Sequence, residues 1–214
     1  MPGAFFEDPD DTREEILAAT YRTLCEHGYA DPTISLIGEE FEKSPSLIYH
    51  HYEGKDDLVR ACLEFILDRF EDRMTGGEIE DPQAELEAFL AWLLVPAPDD
   101  DGDQFLATIV ELRSRAIHDA AYREHFTRSD RVLETSLADL LEAGIERDLF
   151  RACDPDRVAR TIATTLTGVM VRRSSDGGDG AWLDSVRTEL EQYLTDRIYA
   201  EDRSASLDGV DRSA

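Results

Sequence analysis

Residues Ile34–Lys55, ISLIGEEFEKSPSLIYHHYEGK, constrain the chain more than any other stretch. Ile34, Ile37 and Phe41 recur at helical spacing, and Thr33 just before them is a good N-cap. Ser44-Pro45 then restarts a helix. Serine can cap the first N–H groups, and proline at the first helical position lacks an N–H that would go unpaired anyway. From Pro45 the run Ser46, Leu47, Ile48, Tyr49, His50, His51, Tyr52 is about two turns long at 3.6 residues per turn. It is rich in side chains with an apolar body and a hydrogen-bonding tip. Gly54 ends it, and Lys55 follows, one of only two lysines in the chain. The spacing predicts two short helices and a tight turn, with the second helix presented outward. Ile48 and Tyr52 are expected in the core.

Helical periodicity continues along the whole chain. Asp11-Thr12 begins a first helix with Ile16, Leu17, Thr20, Tyr21 and Leu24 on one face, and Gly28 is a plausible C-terminal cap. Asp31-Pro32 turns into the second helix. Asp56 opens a long helix through Leu58, Cys62, Phe65, Ile66 and Phe70 that ends at Gly76-Gly77. Asp81-Pro82 starts another, stopped by Pro96, and the segment 96–103 (PAPDDDGD) reads as a loop. A helix from Phe105 to Ile117 follows. Next comes a longer one from about Ala121 to Ala143, closed by Gly144. Asp154-Pro155 opens a helix through Met170, the segment 174–180 (SSDGGDG) is a link, and Trp182 to Ile198 marks the last helix. About nine helices and no convincing strand make the fold class all-α. Residues 1–10 and 201–214 read as disordered ends, 11–57 as a helix-turn-helix head, and 58–200 as a helical body.

The run Ser44, Ile48-Tyr49-His50-His51-Tyr52, Lys55-Asp56-Asp57-Leu58 resembles the TetR family of transcriptional regulators. The recognition helix of that family commonly reads Ser-x-x-x-Leu-Tyr-x-His-Phe followed by Lys-x-x-Leu. The resemblance covers roughly residues 12–62. This chain departs from the pattern at Gly38 and Phe41, where the family usually has alanine. It departs again at Glu42, where the family has glycine, and at Lys43, where it has an apolar residue. The resemblance implies a helix-turn-helix head, a body that binds a small-molecule effector, and a homodimer built by the last two long helices. It implies no cofactor.

An α-helix fits the major groove, and its N-terminal residues reach base edges. Pro45, Ser46, Leu47 and His50 are placed for that reading. Ser46 can donate or accept, and Leu47 can touch a thymine methyl. By the resemblance, Tyr49, His51 and Lys55 hold phosphates, and Thr33 and Ser44 flank the interface. A tyrosine hydroxyl and an imidazole donate to phosphate oxygens without a permanent charge. The adjacent His50 and His51 diverge by about 100° on a helix, so they give no metal pair. In the body, Trp92, Phe105, Ile109, Phe126, Val132 and Leu133 are candidates for lining an apolar effector cavity. Arg113, near His118 and His125, is a candidate polar contact there, although a solvated face laced with ion pairs accounts for these residues as well.

Charge cuts against a DNA binder. The chain has 48 acidic and 22 basic residues, net −26. Residues 1–60 hold five basic side chains (Arg13, Arg22, Lys43, Lys55, Arg60) against fourteen acidic ones, net −9. DNA binders draw most of their affinity from neutralising phosphates. At molar salt the Debye length falls to about 3 Å and the long-range repulsion largely disappears. Abundant carboxylates, with Arg far outnumbering Lys, point to a halophilic source. Cys25, Cys62 and Cys153 are few and far apart, which reads as reduced thiols in a cytoplasmic protein. The N-terminus lacks the pattern of a secretory signal, no stretch is apolar enough to span a membrane, and no enzyme motif is present. Two functions remain. One is a homodimeric repressor on an inverted-repeat operator in double-stranded DNA, released by an effector. The other is an acidic helical interaction or ligand-binding module that does not touch DNA.

Overall fold

Side-chain caps set four of the helix starts in the computed structural model, which describes residues 9, 11–41, 45–95, 101–177 and 180–207. Asp11 accepts from the Glu14 amide at 2.9 Å, and Thr33 accepts from the Leu36 amide at 3.1 Å. Asp81 accepts from Gln83 and Ala84, and Asp154 from Arg157, each at 3.1 Å. Each cap satisfies N–H groups that the helix cannot pair internally, an effect of about 1 kcal/mol. The helices of the described residues are α1 Thr12–His27, α2 Ile34–Glu40, α3 Pro45–His51, α4 Lys55–Thr75 and α5 Pro82–Leu94. They continue with α6 Asp101–Arg115, α7 Ala120–Glu146, α8 Pro155–Arg173 and α9 Ala181–Tyr193. A π turn, Leu194–Ile198, extends α9. The one strand-like pairing among the described residues is an isolated antiparallel bridge, Phe150 to Tyr199. The all-α reading holds. No helix is long and apolar enough to cross a membrane, among the residues described.

Contacts group the chain into two compact units: residues up to Arg73 with 97–129, and residues 74–96 with 130–214. In the first, α1 is central and its buried set runs nearly all round, from Ile16 to Tyr21 with Thr23 and Leu24. Two threonines tolerate this because their hydroxyls donate to the carbonyls four residues back, Thr20 to Ile16 at 2.7 Å and Thr23 to Ala19 at 2.8 Å. Leu58, Val59, Cys62, Leu63 and Ile66 bury one face of α4, and each large apolar side chain so buried contributes about 1.5–3 kcal/mol. The Cys62 thiol donates weakly to the Leu17 carbonyl at 3.6 Å, and burial pushes its pKa up, so it stays a protonated core thiol. All three cysteines are free; Cys62 is buried, and Cys25 and Cys153 are half-buried.

In the second unit α5 packs against α8 and α9. Leu86, Leu90, Ile162, Leu166, Leu190 and Leu194 are buried there. Four expectations change. First, α6 begins at Asp101, so residues 101–103 are helix, while 96–100 lie outside the described residues. Second, Gly144 does not end α7. It sits inside the helix because Phe150 packs against it, and an added Cβ would lie 2.0 Å from the Phe150 ring. Third, the last two long helices, expected to build a homodimer, do not leave their whole apolar side for a partner: Leu190 and Leu194 are buried in the chain's own core, and Val171 is the large apolar side chain left exposed on α8. Fourth, residues 201–207 are not a free tail. The Leu207 amide donates to Glu191 at 2.8 Å, the Ala205 amide to Thr195 at 2.9 Å, and Leu207 is fully buried. Residues 1–8, 10 and 208–214 lie outside the described residues.

Candidate nucleic-acid interface

One face of α3 is anchored and the rest is presented. Ile48 and Tyr52, four residues apart, are buried, with the Tyr52 amide donating to the Ile48 carbonyl at 2.9 Å. Ile37 and Phe41 of the preceding segment are buried too, and α2 packs on both α1 and α3. This seats α3 on an apolar face and leaves Ser46, Leu47, Tyr49, His50 and His51 exposed. Leu47 is 37% and Tyr49 62% exposed, which is high for a leucine and a tyrosine. Thr33 caps α2 and so fixes the entry to the pair. Pro45 begins α3; its side chain and all of Ser44, Glu42 and Lys43 lie outside the described residues. The His50 and His51 rings are 5.5 Å apart and close to perpendicular, so they diverge as adjacent helical residues must.

Among the described cations of the head, Arg22, Lys55 and Arg60 are engaged by groups of the chain itself at its surface, and Arg13 is exposed. Arg22 pairs with Glu40 at 2.8 Å and Arg60 with Asp57 at 3.1 Å. The Asp57 carboxyl accepts from the Glu53 amide and from Arg60, which together hold its pKa below the usual carboxylate range. The Lys55 ammonium donates to the Ala30 carbonyl at 3.0 Å and lies 4.8 Å over the Tyr29 ring. That uses one of its three donors; the others point elsewhere. What α3 offers a phosphate is therefore mostly neutral: hydroxyl, imidazole and amide N–H groups.

Tyr29, Glu111 and Arg115 form a cluster that periodicity did not single out. The Tyr29 amide donates to Glu111 at 2.8 Å, and its hydroxyl donates to Asp56 at 2.6 Å. The Arg115 guanidinium lies 4.2 Å over the Tyr29 ring. Burial first, and then the hydrogen bond to Asp56, push the Tyr29 pKa up to about 12. Gly28 makes the close approach possible. Its φ of +68° suits glycine, and an added Cβ would lie 3.1 Å from a Glu111 carboxylate oxygen. No spacing rule joins positions 82 residues apart, so the sequence carried no signal beyond Gly28 itself.

The candidate effector residues divide between the units. Phe105, Ile109 and Phe126 are buried in the first, and the Arg113 guanidinium lies 4.5 Å over the Phe126 ring. Trp92, Val132 and Leu133 are half-buried in the second, where Trp92 sits 6.4 Å from Phe89. Arg113 and Arg115 stack on aromatic rings, so the solvated face read from the sequence describes them poorly; among these neighbours, His118 is exposed and His125 half-buried.

Two family profiles match the chain. Residues 16–62 match the bacterial regulatory proteins of the tetR family, and residues 82–198 match the C-terminal part of BetI-type transcriptional repressors. A BetI regulator of Brucella melitensis is 36% identical over 183 residues, covering 85% of this chain and 89% of its own length. The repressor AcnR of Corynebacterium diphtheriae is 27% identical over 182 residues, covering 85% of this chain and 90% of its own. A TetR regulator of Haloarcula marismortui, solved by crystallography, superposes with a TM-score of 0.77 at 32% identity, over 89% of this chain and 100% of its own.

Proposed function

Because the chain belongs to the TetR family of transcriptional regulators, we propose that α3 reads an inverted-repeat operator from the major groove as half of a two-fold dimer. That it is a DNA-binding transcriptional regulator follows from the family itself. The observation that carries the finer reading is the two-sided seating of α3: Ile48 and Tyr52 are buried while Ser46, Leu47, Tyr49, His50 and His51 are exposed. Pro45, Ser46, Leu47 and His50 occupy the first turns, where base edges are reached. Tyr49, His51 and Lys55 hold the phosphates, with Thr33 and Ser44 at the flanks. The acidic interaction module without DNA binding loses its support, because both family profiles and the relatives are those of regulators.

The dimer is formed by α8 and α9. Val171 is exposed on α8, and Trp182 of α9 is half-buried under Arg172 at 4.2 Å. Small-molecule release is the regulatory mode. An effector that binds the DNA-free conformation more tightly shifts the population away from the operator, by no more than its difference in affinity. Phe105, Ile109, Arg113 and Phe126 are the candidate contacts within the first unit, and Trp92 and Leu133 those within the second, each set by itself. Arg113 already covers the Phe126 ring, so a cationic effector gains no open aromatic face there.

Selection of bound sequences from random duplexes at molar potassium chloride tests this reading. An enriched inverted repeat, with half-sites about 34–36 Å or a multiple apart, supports it. Enrichment of a single asymmetric site, or of none, contradicts it.

A further inference from the structure

Tyr29 stands at a crossing of three elements. It belongs to the turn between α1 and α2, yet its contacts run to α6 on one side and to the start of α4 on the other. From α6, Glu111 accepts its amide at 2.8 Å and Arg115 covers its ring at 4.2 Å. From α4, Asp56 accepts its hydroxyl at 2.6 Å and the Lys55 ammonium lies 4.8 Å over its ring while donating to Ala30 at 3.0 Å. Lys55 lies four residues beyond the end of α3. A lysine in this position would ordinarily sample many rotamers. Here the cation–π contact and the Ala30 carbonyl hold its tip.

We infer that Tyr29 is a positioning residue for Lys55, and that Glu111 and Arg115 make the placement of that lysine depend on where the end of α6 lies. The link to operator binding rests on the reading of Lys55 as a phosphate contact; the link between Tyr29 and Lys55 does not. Holding the ammonium before DNA arrives removes the cost of ordering a flexible side chain at the interface. Moving the end of α6 loosens Tyr29 first and Lys55 with it, by a route that does not require α4 to shift along its length.

The chain has two lysines, Lys43 and Lys55, so reductive methylation with isotope-labelled formaldehyde follows each by its own NMR signal. Tyr29→Leu should raise the Lys55 methylation rate about two- to fivefold, with Lys43 unchanged as internal reference. Tyr29→Phe keeps the ring and should keep Lys55 protected. Arg115→Ala and Glu111→Ala should raise the Lys55 rate as well, whereas Glu111→Gln, which still accepts the amide, should restore protection. Circular dichroism of each variant checks that helix content is retained. On a selected operator, Tyr29→Leu should lower affinity about two- to tenfold in the wild-type background and less than about twofold in Lys55→Ala, with base preference unchanged in both. An unchanged Lys55 rate in folded Tyr29→Leu overturns the proposal, as does equal exposure in Tyr29→Phe, or no response to Arg115→Ala. Equal affinity losses in both backgrounds also overturn it. A wild-type protein that binds no DNA removes the phosphate role of Lys55, and the methylation rates still decide whether Tyr29 holds it.

Discussion

On the proposed reading Leu47 and Tyr49 are exposed for different purposes, and the difference is measurable. Leu47 lies in the first turn of α3, where an apolar side chain can meet a thymine methyl; Tyr49 carries a hydroxyl suited to a phosphate oxygen. Leu47→Ala and Ser46→Ala should therefore change which bases are preferred, at roughly 1–3 kcal/mol per lost contact. Tyr49→Phe and Lys55→Ala should weaken binding to all sequences about equally. Binding of the four variants to a library of inverted repeats separates the two behaviours, and equal shifts in base preference would refute the assignment. The helix α3 and its exposed face were legible in the sequence because they announce themselves locally, by a proline, a run of amphipathic side chains and a closing glycine. Tyr29, Glu111 and Arg115 were not, because what joins them is packing between distant segments. The opposite error occurred at Gly144. Glycine near the end of an apolar stripe looks like a cap, whereas here it makes room for Phe150. Gly144→Ala should cost about 1–3 kcal/mol through overpacking and lower Tm by about 2–4 °C per kcal/mol. An unchanged Tm would show that the ring yields freely.

Among the elements, helix starts were easier to read than helix faces. Asp11, Thr33, Asp81 and Asp154 all cap where the sequence places them, because a cap is a local bond between a side chain and amides two or three residues on. Which side of α9 faces outward is a tertiary matter. Leu190 and Leu194 are apolar enough for an interface, but the chain uses them internally, as it does Leu207. What α8 and α9 leave for a partner is Val171 with the half-buried Trp182, Val186 and Tyr193. Light scattering in high salt should give twice the 24.1 kDa of one chain. Val171→Glu should shift it toward one chain by placing a charge in an apolar contact. A monomeric wild type at micromolar concentration would rule out α8 and α9 as a stable dimer surface.

At the scale of the whole molecule, charge and ionisation set the working range. Tyr29, Tyr52, Tyr122 and Tyr199 all have raised pKa values, in each case first through burial, with Tyr29 reaching about 12. A tyrosine whose folded pKa lies above the unfolded value of about 10 contributes stability that is fully present below pH 10. That stability is lost as pH rises through the folded value. Thermal midpoints should hold to about pH 10 and then fall steeply, and Tyr29→Phe should soften the fall; a midpoint that rises above pH 10 would contradict the sign. Self-repulsion among 48 acidic residues against 22 basic ones acts at every pH above the carboxylate range and is relieved by salt. The same charge frames the central claim, that a chain start of net −9 over residues 1–60, with Arg22 and Arg60 paired to carboxylates of the chain itself, reads DNA mainly through the polar, uncharged side chains of α3. The direct measurement is a binding titration of the selected inverted repeat and of a scrambled duplex, from 0.1 to about 3 M potassium chloride, where the Debye length falls from about 10 Å to below about 3 Å. The account predicts binding that persists at molar salt and favours the repeat about a thousandfold or more. Binding that is strongest at 0.1 M and vanishes with the same slope for both duplexes would contradict it.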